Sequence, residues 1–167
     1  TSIALLASAF VLTVWAYLTV APEGGVAIVH GYDWLRMSWG DGPGQTLLAS
    51  FGLYIDSLTV FWMLFVTGLA TLIALYSSEY MADDLKIGHY PRYFAAFCLF
   101  VFSMSCLVMG DNLLLLFLGW EGVGLCSYLL IGYHYQRPSA VEAAKKAFIV
   151  NRIGDLGLVV GIMLAFV

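Results

Sequence analysis

The stretch Leu113–Ile131, LLLLFLGWEGVGLCSYLLI, has the length to cross a bilayer as a helix and holds a single charge, Glu121, near its middle. Within hydrocarbon, backbone N–H and C=O groups find no water, so such a segment satisfies them internally as a helix. A carboxylate at that depth costs about 2.5–3.5 kcal/mol on insertion scales. Groups of this kind face a protein interior or a wet cavity. Glu121 is therefore a candidate proton or ion site.

Further apolar runs lie on either side. We expect spans at about Ile3–Val20, Leu58–Tyr76 and Tyr93–Met109, then the Glu121 helix ending near Tyr133, and a fifth from Ala140 to Val167. The chain is 62% hydrophobic and 11% charged, and its runs are unbroken, which selects helices over the alternating strands of a barrel. The expected fold class is all-α, a polytopic bundle of five transmembrane helices. Residues 1–20 form the first span, residues 21–50 an extracytoplasmic loop or hairpin, and residues 51–167 the remaining spans. The segment Ala21–Ser50 is too polar to span, and Trp34 and Trp39 suit headgroup depth. Gly110–Asn112 reads as a tight turn with Asp111 or Asn112 available as a cap, and Asp56 suits a cap or interfacial role. With no initiator Met and apolar runs at both ends, we expect part of a longer protein.

Basic residues orient the spans. Lys86 and Arg92 lie in one loop and Arg137, Lys145 and Lys146 in another, whereas Ala21–Ser50 carries only Arg36 and the Gly110–Asn112 turn none. The two basic loops are expected on the cytoplasmic side or its matrix or stromal equivalent.

The fifth helix brings charge into the membrane as well. Lys145, Arg152 and Asp155 share a helical face, and Arg152 and Asp155, one turn apart, can pair. Asp155 lies roughly 15 Å along its helix from Lys145, and Glu121 about 12 Å from the start of its own. Antiparallel packing sets the groups at similar depth. A structural ion pair beside a protonated, hydrogen-bonded glutamate is one reading, and a transport path is the other, which three ionisable groups at one depth favour. Desolvation favours a neutral carboxylate and a nearby cation favours a charged one, so moving a cation switches proton affinity. Gly119, Gly122, Gly124 and Cys126 surround Glu121 with small residues that admit another backbone or water. Tyr128, on the Glu121 face, is either structural or part of the same path.

Other chemistry is not signalled. Cys98, Cys106 and Cys126 sit in apolar runs without metal-ligand spacing, and His30, His89 and His134 fall in segments read as loops. No metal motif, phosphate loop or nucleophile–base pair is evident, and unclustered basic residues with a net charge of -4 give no reason to expect nucleic acid.

DNLLLLFLGWEGVGLCSYLLIGYHY at Asp111–Tyr135 and KAFIVNRIGDLG at Lys146–Gly157 resemble the largest antiporter-like membrane subunit of respiratory complex I, the proton-pumping NADH:quinone oxidoreductase. YSSEYMADD at Tyr76–Asp84 and RYFAAF at Arg92–Phe97 are similar to the same family. The resemblance extends over most of Gly52–Val167. It implies that residues 51–167 are the N-terminal part of an antiporter-like proton-translocation domain. It further implies that Glu121 is the family's essential glutamate and that Arg152 and Asp155 are its charged pair. The resemblance also implies a lysine that pairs with the glutamate, on a helix beyond this chain.

The resemblance implies no cofactor in this chain. Flavin, iron–sulfur clusters and quinone are expected in partner subunits, with neighbouring antiporter-like subunits and lipid as contacts. The expected setting is a bacterial plasma membrane or an energy-transducing organelle inner membrane. A proton relay through Glu121, Asp155, Arg152 and Lys145, coupled to quinone reduction elsewhere, is the function expected. The alternatives are a subunit of a multisubunit cation/proton antiporter and a purely structural scaffold.

Overall fold

The computed structural model describes residues 1–20, 25–38, 46–82 and 90–165. Five long apolar helices appear among them: α1 (Ser2–Val20), α2 (Ser57–Tyr80), α3 (Tyr90–Met109), α4 (Leu113–Ile131) and α5 (Pro138–Ala165). Each is long and apolar enough to cross a membrane, as the sequence leads one to expect. Between α1 and α2 lie two antiparallel strands, β1 (Ala27–Ser38) and β2 (Thr46–Ile55), paired from Ala27 with Ile55 to Ser38 with Thr46. Strand β2 runs past Ser50 to the residue before Asp56, so the sheet extends further towards α2 than the polar composition of the segment suggests. His30 stands exposed on β1 rather than in a loop, and Trp34 stands exposed on the same strand, within the hairpin that is one of the two expected forms of this segment, whereas Trp39, Lys86 and His89 lie outside the described residues.

Helix ends follow local chemistry. The Asp56 carboxylate accepts the Thr59 N–H at 2.7 Å, and the Asn112 side chain accepts the Leu115 N–H at 2.9 Å. Each satisfies an orphan donor of a first turn, so Asn112, not Asp111, caps α4. Asp111 turns instead to β2. Its N–H donates to the Gly52 carbonyl at 3.3 Å, while the Asn112 amide donates to the Ser50 carbonyl at 2.7 Å. A Cβ on Gly52 would displace the Asp111 carboxylate from its place beside the strand. The sheet is thereby fastened to the α3–α4 turn at one end of the bundle.

At the opposite end the Ser77 hydroxyl and Tyr93 hydroxyl lie 2.9 Å apart, and the Arg92 guanidinium sits 5.1 Å from the Tyr135 ring centroid. The serines and tyrosine of Ser77–Tyr80 stay helical, which carries α2 beyond Tyr76. Pro138, suited to a first helical position, starts α5 two residues before the expected Ala140. Arg92 and Arg137 thus lie at one end of the bundle and the sheet at the other. A core of Leu6, Ala70, Ala74, Phe94, Phe97 and Val101 joins α1, α2 and α3. Large apolar side chains on the outer faces of α1, α2 and α5 remain exposed in the isolated chain, as helices meeting lipid or further protein require.

Candidate functional site

Helix α4 makes two unlike interfaces. Leu115, Gly119, Gly122 and Cys126 recur at three- and four-residue spacing, forming a face of mostly small residues. This face meets α3. A Cβ on Gly119 would lie 2.5 Å from the Leu107 backbone nitrogen, and one on Gly122 would strike the Ser103 side chain. The glycines therefore set how closely the two backbones approach.

Trp120, Glu121, Gly124 and Tyr128 point the other way, towards α5. There Phe148, Asn151, Arg152 and Asp155 recur at helical spacing on the facing side. The Arg152 guanidinium pairs directly with the Glu121 carboxylate. The same Arg152 nitrogen lies 3.7 Å from Asp155 Oδ2. Asp155 Oδ1 accepts a hydrogen bond from Trp120 Nε1 at 2.8 Å, and Oδ2 has no hydrogen-bond partner among the described residues. The side chains are 41% exposed for Arg152, 21% for Glu121 and 6% for Asp155, so Asp155 is the most enclosed of the three. The Arg152 guanidinium also lies 4.5 Å from the Phe148 ring centroid, a cation–π contact that limits its travel.

The sequence places Arg152 and Asp155 together, and they are; the closer partner of Arg152, however, is Glu121, through a tertiary contact. Lys145 stands exposed two turns earlier on α5 and makes no ion pair among the described residues. Tyr128 packs its ring 5.4 Å from that of Phe148. It also lines a cavity of about 370 Å³ beside Ser127, Asn151 and Trp120. A Cβ on Gly124 would lie 2.4 Å from the Asn151 amide nitrogen, so Gly124 makes room for that amide. Trp120 and Asn151 are the polar contributors that charge alone does not reveal. Their signal is an indole donor next to Glu121 in GWEG and an amide next to Arg152 in VNRIGD.

The cysteines are free thiols, and Cys106 and Cys126 are buried. Among the described residues no cluster of three His, Cys, Asp or Glu side chains is placed to hold a metal. Outside the spans, the Thr59 backbone N–H holds the Asp56 carboxyl below the usual carboxylate range.

Residues 43–94 match the family described as NADH-ubiquinone oxidoreductase (complex I), chain 5 N-terminus, and residues 110–167 match the family described as NADH:quinone oxidoreductase/Mrp antiporter, transmembrane. The chain belongs to the chain 5/subunit L family of complex I. It is 51% identical to NADH-quinone oxidoreductase subunit L of Mycobacterium tuberculosis over 74% of its length and 19% of the relative's. Against subunit L of Pseudomonas aeruginosa it is 42% identical over 99% of its length and 25% of the relative's. With NADH-ubiquinone oxidoreductase chain 5 of Marchantia polymorpha it shares 50% identity over 71% of its length and 17% of the relative's. The chain thus spans a quarter or less of these subunit L and chain 5 relatives. It is a membrane protein of that family, and the α4–α5 seam lies in the portion matched by the antiporter description.

Proposed function

We propose that this chain forms part of the proton-translocating membrane subunit of a complex I-type NADH:quinone oxidoreductase. Glu121 takes up and releases the proton, Arg152 tunes it as a movable counter-charge, Asp155 is the alternative partner of that charge, and Lys145 supplies cationic field at the basic end. The observation that carries this reading is one arginine shared between two carboxylates on facing transmembrane helices. A cation over Glu121 favours the carboxylate, and its withdrawal towards Asp155 favours proton uptake. Charges interact strongly where water is scarce, so a small movement of Arg152 has a large effect. The neighbouring cavity of about 370 Å³, lined in part by Ser127, Tyr128 and Asn151, has the volume to admit the water that would deliver the proton in this reading.

The redox chemistry belongs to partner subunits in this reading, with flavin, iron–sulfur clusters and quinone held there. The partners also include neighbouring antiporter-like subunits. The membrane is a bacterial plasma membrane or an organelle inner membrane, and residues 51–167 form the N-terminal part of the translocation domain. The end carrying Arg92 and Arg137 faces the cytoplasm or its equivalent. A cysteine introduced beside Arg137 is expected to react only with reagent supplied from that side. Reaction only from the outer face overturns the orientation.

The test of the relay is Glu121→Gln in the full-length subunit within its complex. Glutamine keeps size and hydrogen bonding but exchanges no proton, so proton translocation per electron should collapse while complex content holds. Glu121→Asp should retain part of the activity, because a carboxylate persists on a shorter stem. Normal stoichiometry in the glutamine variant sinks the relay. The family description that also names an Mrp antiporter supports a second reading, a cation/proton antiporter without a redox partner. Co-purification of flavin- and iron–sulfur-containing subunits separates the two.

A further inference from the structure

We propose that Trp120 is the positioning residue that commits Arg152 to Glu121, because its indole N–H occupies the competing carboxylate, Asp155. Two carboxylates compete for one guanidinium here. Asp155 lies on Arg152's own helix one turn away, has a side chain only 6% exposed, and among the described residues has one oxygen without a hydrogen bond. A buried, under-satisfied carboxylate attracts a guanidinium strongly. Arg152 nevertheless makes its close contact across the interface with Glu121 and leaves Asp155 Oδ2 at 3.7 Å.

The difference lies in what already holds Asp155. Its Oδ1 accepts the Trp120 N–H at 2.8 Å, a charge-assisted bond that meets part of its demand from a neutral donor. Trp120 and Glu121 are adjacent on α4, and Arg152 and Asp155 are one turn apart on α5. The four groups therefore close a cycle across the interface: tryptophan to Asp155, Asp155 to Arg152, Arg152 to Glu121, and back along the α4 backbone. An indole N–H donates and never accepts, so Trp120 passes no proton itself. Its action runs through Asp155 to the location of a charge. The Phe148 ring under the Arg152 guanidinium restricts the other directions of escape. Loss of the indole donor leaves Asp155 with two unmet oxygens and one nearby cation, and Arg152 transfers to it.

The inference rests on the relay reading only for its transport readout. The experiment replaces Trp120 with 3-benzothienylalanine in the full-length subunit of the assembled complex. This analogue keeps the bicyclic shape and lacks the N–H. Isotope-edited infrared spectra, assigned with Glu121→Gln and Asp155→Asn, report which carboxylate is paired with guanidinium. The paired signature is expected to pass from Glu121 to Asp155. Hydrogen bonds to charged groups have the strength to move the partition of Arg152 by on the order of tenfold or more. Proton translocation per electron falls with it, at unchanged complex content.

Trp120→Phe should act in the same direction, and Trp120→His, which keeps a ring donor, should return part of the Glu121 signature. Should the analogue fail to assemble, the phenylalanine and histidine pair decides the question by the same bands. A Glu121 signature unchanged without the donor overturns the inference. If the bands stay in place while Glu121→Gln stops pumping, only the positioning role fails. If the bands shift while Glu121→Gln pumps normally, Trp120 positions Arg152 and the relay reading fails.

Discussion

The two faces of α4 are built for opposite purposes. Towards α3 it presents Gly119, Gly122 and Cys126, and the backbones lie so close that a single methyl on Gly119 has no place. Towards α5 it presents Trp120, Glu121 and Tyr128, and the interface holds charges, an indole and a cavity of about 370 Å³. In a bilayer apolar side chains gain little by leaving lipid, so close packing and polar contacts do the joining. The first face uses the former and the second the latter. A close-packed interface resists movement, whereas the charged seam sets one guanidinium within reach of two carboxylates. The comparison teaches that one helix both packs closely against α3 and presents a carboxylate to the Arg152 guanidinium of α5, because GWEGVG sets the two faces within six residues.

The largest effect is expected from breaking the close-packed face. Gly119→Ala drives a methyl into the α3 backbone, where neither a rotamer change nor a small shift relieves the clash. Overpacking costs typically ~1–3 kcal/mol even where side chains can adjust, and backbone cannot adjust cheaply. The complex should be lost or sharply reduced on native gels. The corresponding change on the α5 side, Gly124→Ala, meets only the Asn151 amide and should leave complex content nearly intact. Equal losses in the two variants would break the distinction between the faces.

The charged face comes next. Removing Arg152 leaves Glu121 and Asp155 without their shared cation, whereas removing Asp155 leaves Arg152 still paired with Glu121. Breaking a fully buried ion pair costs ~3–5 kcal/mol. The 41% exposure of Arg152 in this chain places the expected loss well below that. Arg152→Leu should therefore reduce complex content more than Asp155→Leu, which strands the Trp120 N–H. The double variant should assemble better than Arg152→Leu alone, since one carboxylate is gone, yet should not recover pumping. Full recovery of proton translocation in the double variant makes the pair a scaffold.

The helices were readable from the sequence because length and hydropathy decide them locally. Asp56 and the Asp111–Asn112 pair are legible as cap positions for the same reason, since an N-cap acts within one turn, while the choice of Asn112 over Asp111 comes from the structure. Glu121, Arg152 and Asp155 stand out because charge at membrane depth is costly wherever it occurs. What the sequence could not supply was the pairing. Arg152 and Asp155 are neighbours on one helix and suggest each other, while the closer Glu121–Arg152 contact depends on how α4 and α5 rotate against one another. Trp120 is not legible as a polar partner in the sequence, because a tryptophan in an apolar run reads as packing and its N–H meets Asp155 only through the α4–α5 contact. Lys145 shares a helical face with Arg152, but the same helix carries it two turns from the pair. The sheet's extension to Ile55 was hidden because its partner strand and the Asp111 backbone, which hold Gly52 and Leu53, are remote in sequence.

The smallest expected effect sharpens the contrast between a carboxylate in the seam and one that only ends a helix. Asp56 accepts the Thr59 N–H, and this bond holds its carboxyl below the usual carboxylate range. A depressed value in the folded protein means that the charged form is stabilised by folding. Its contribution is full above the unfolded value of about 3.9 and is lost as pH falls through the lower folded value. Between pH 6 and 8, then, Asp56 should add no pH dependence to the thermal stability of the complex. Asp56→Ala should lower stability by ~1 kcal/mol, the ordinary worth of an N-cap, and Asp56→Asn by much less, because asparagine caps nearly as well. Neither change should alter proton translocation per electron, in contrast to Glu121→Gln. A fall in stoichiometry in Asp56→Asn, with complex content unchanged, would place a second functional carboxylate at the sheet end of α2 and remove the contrast.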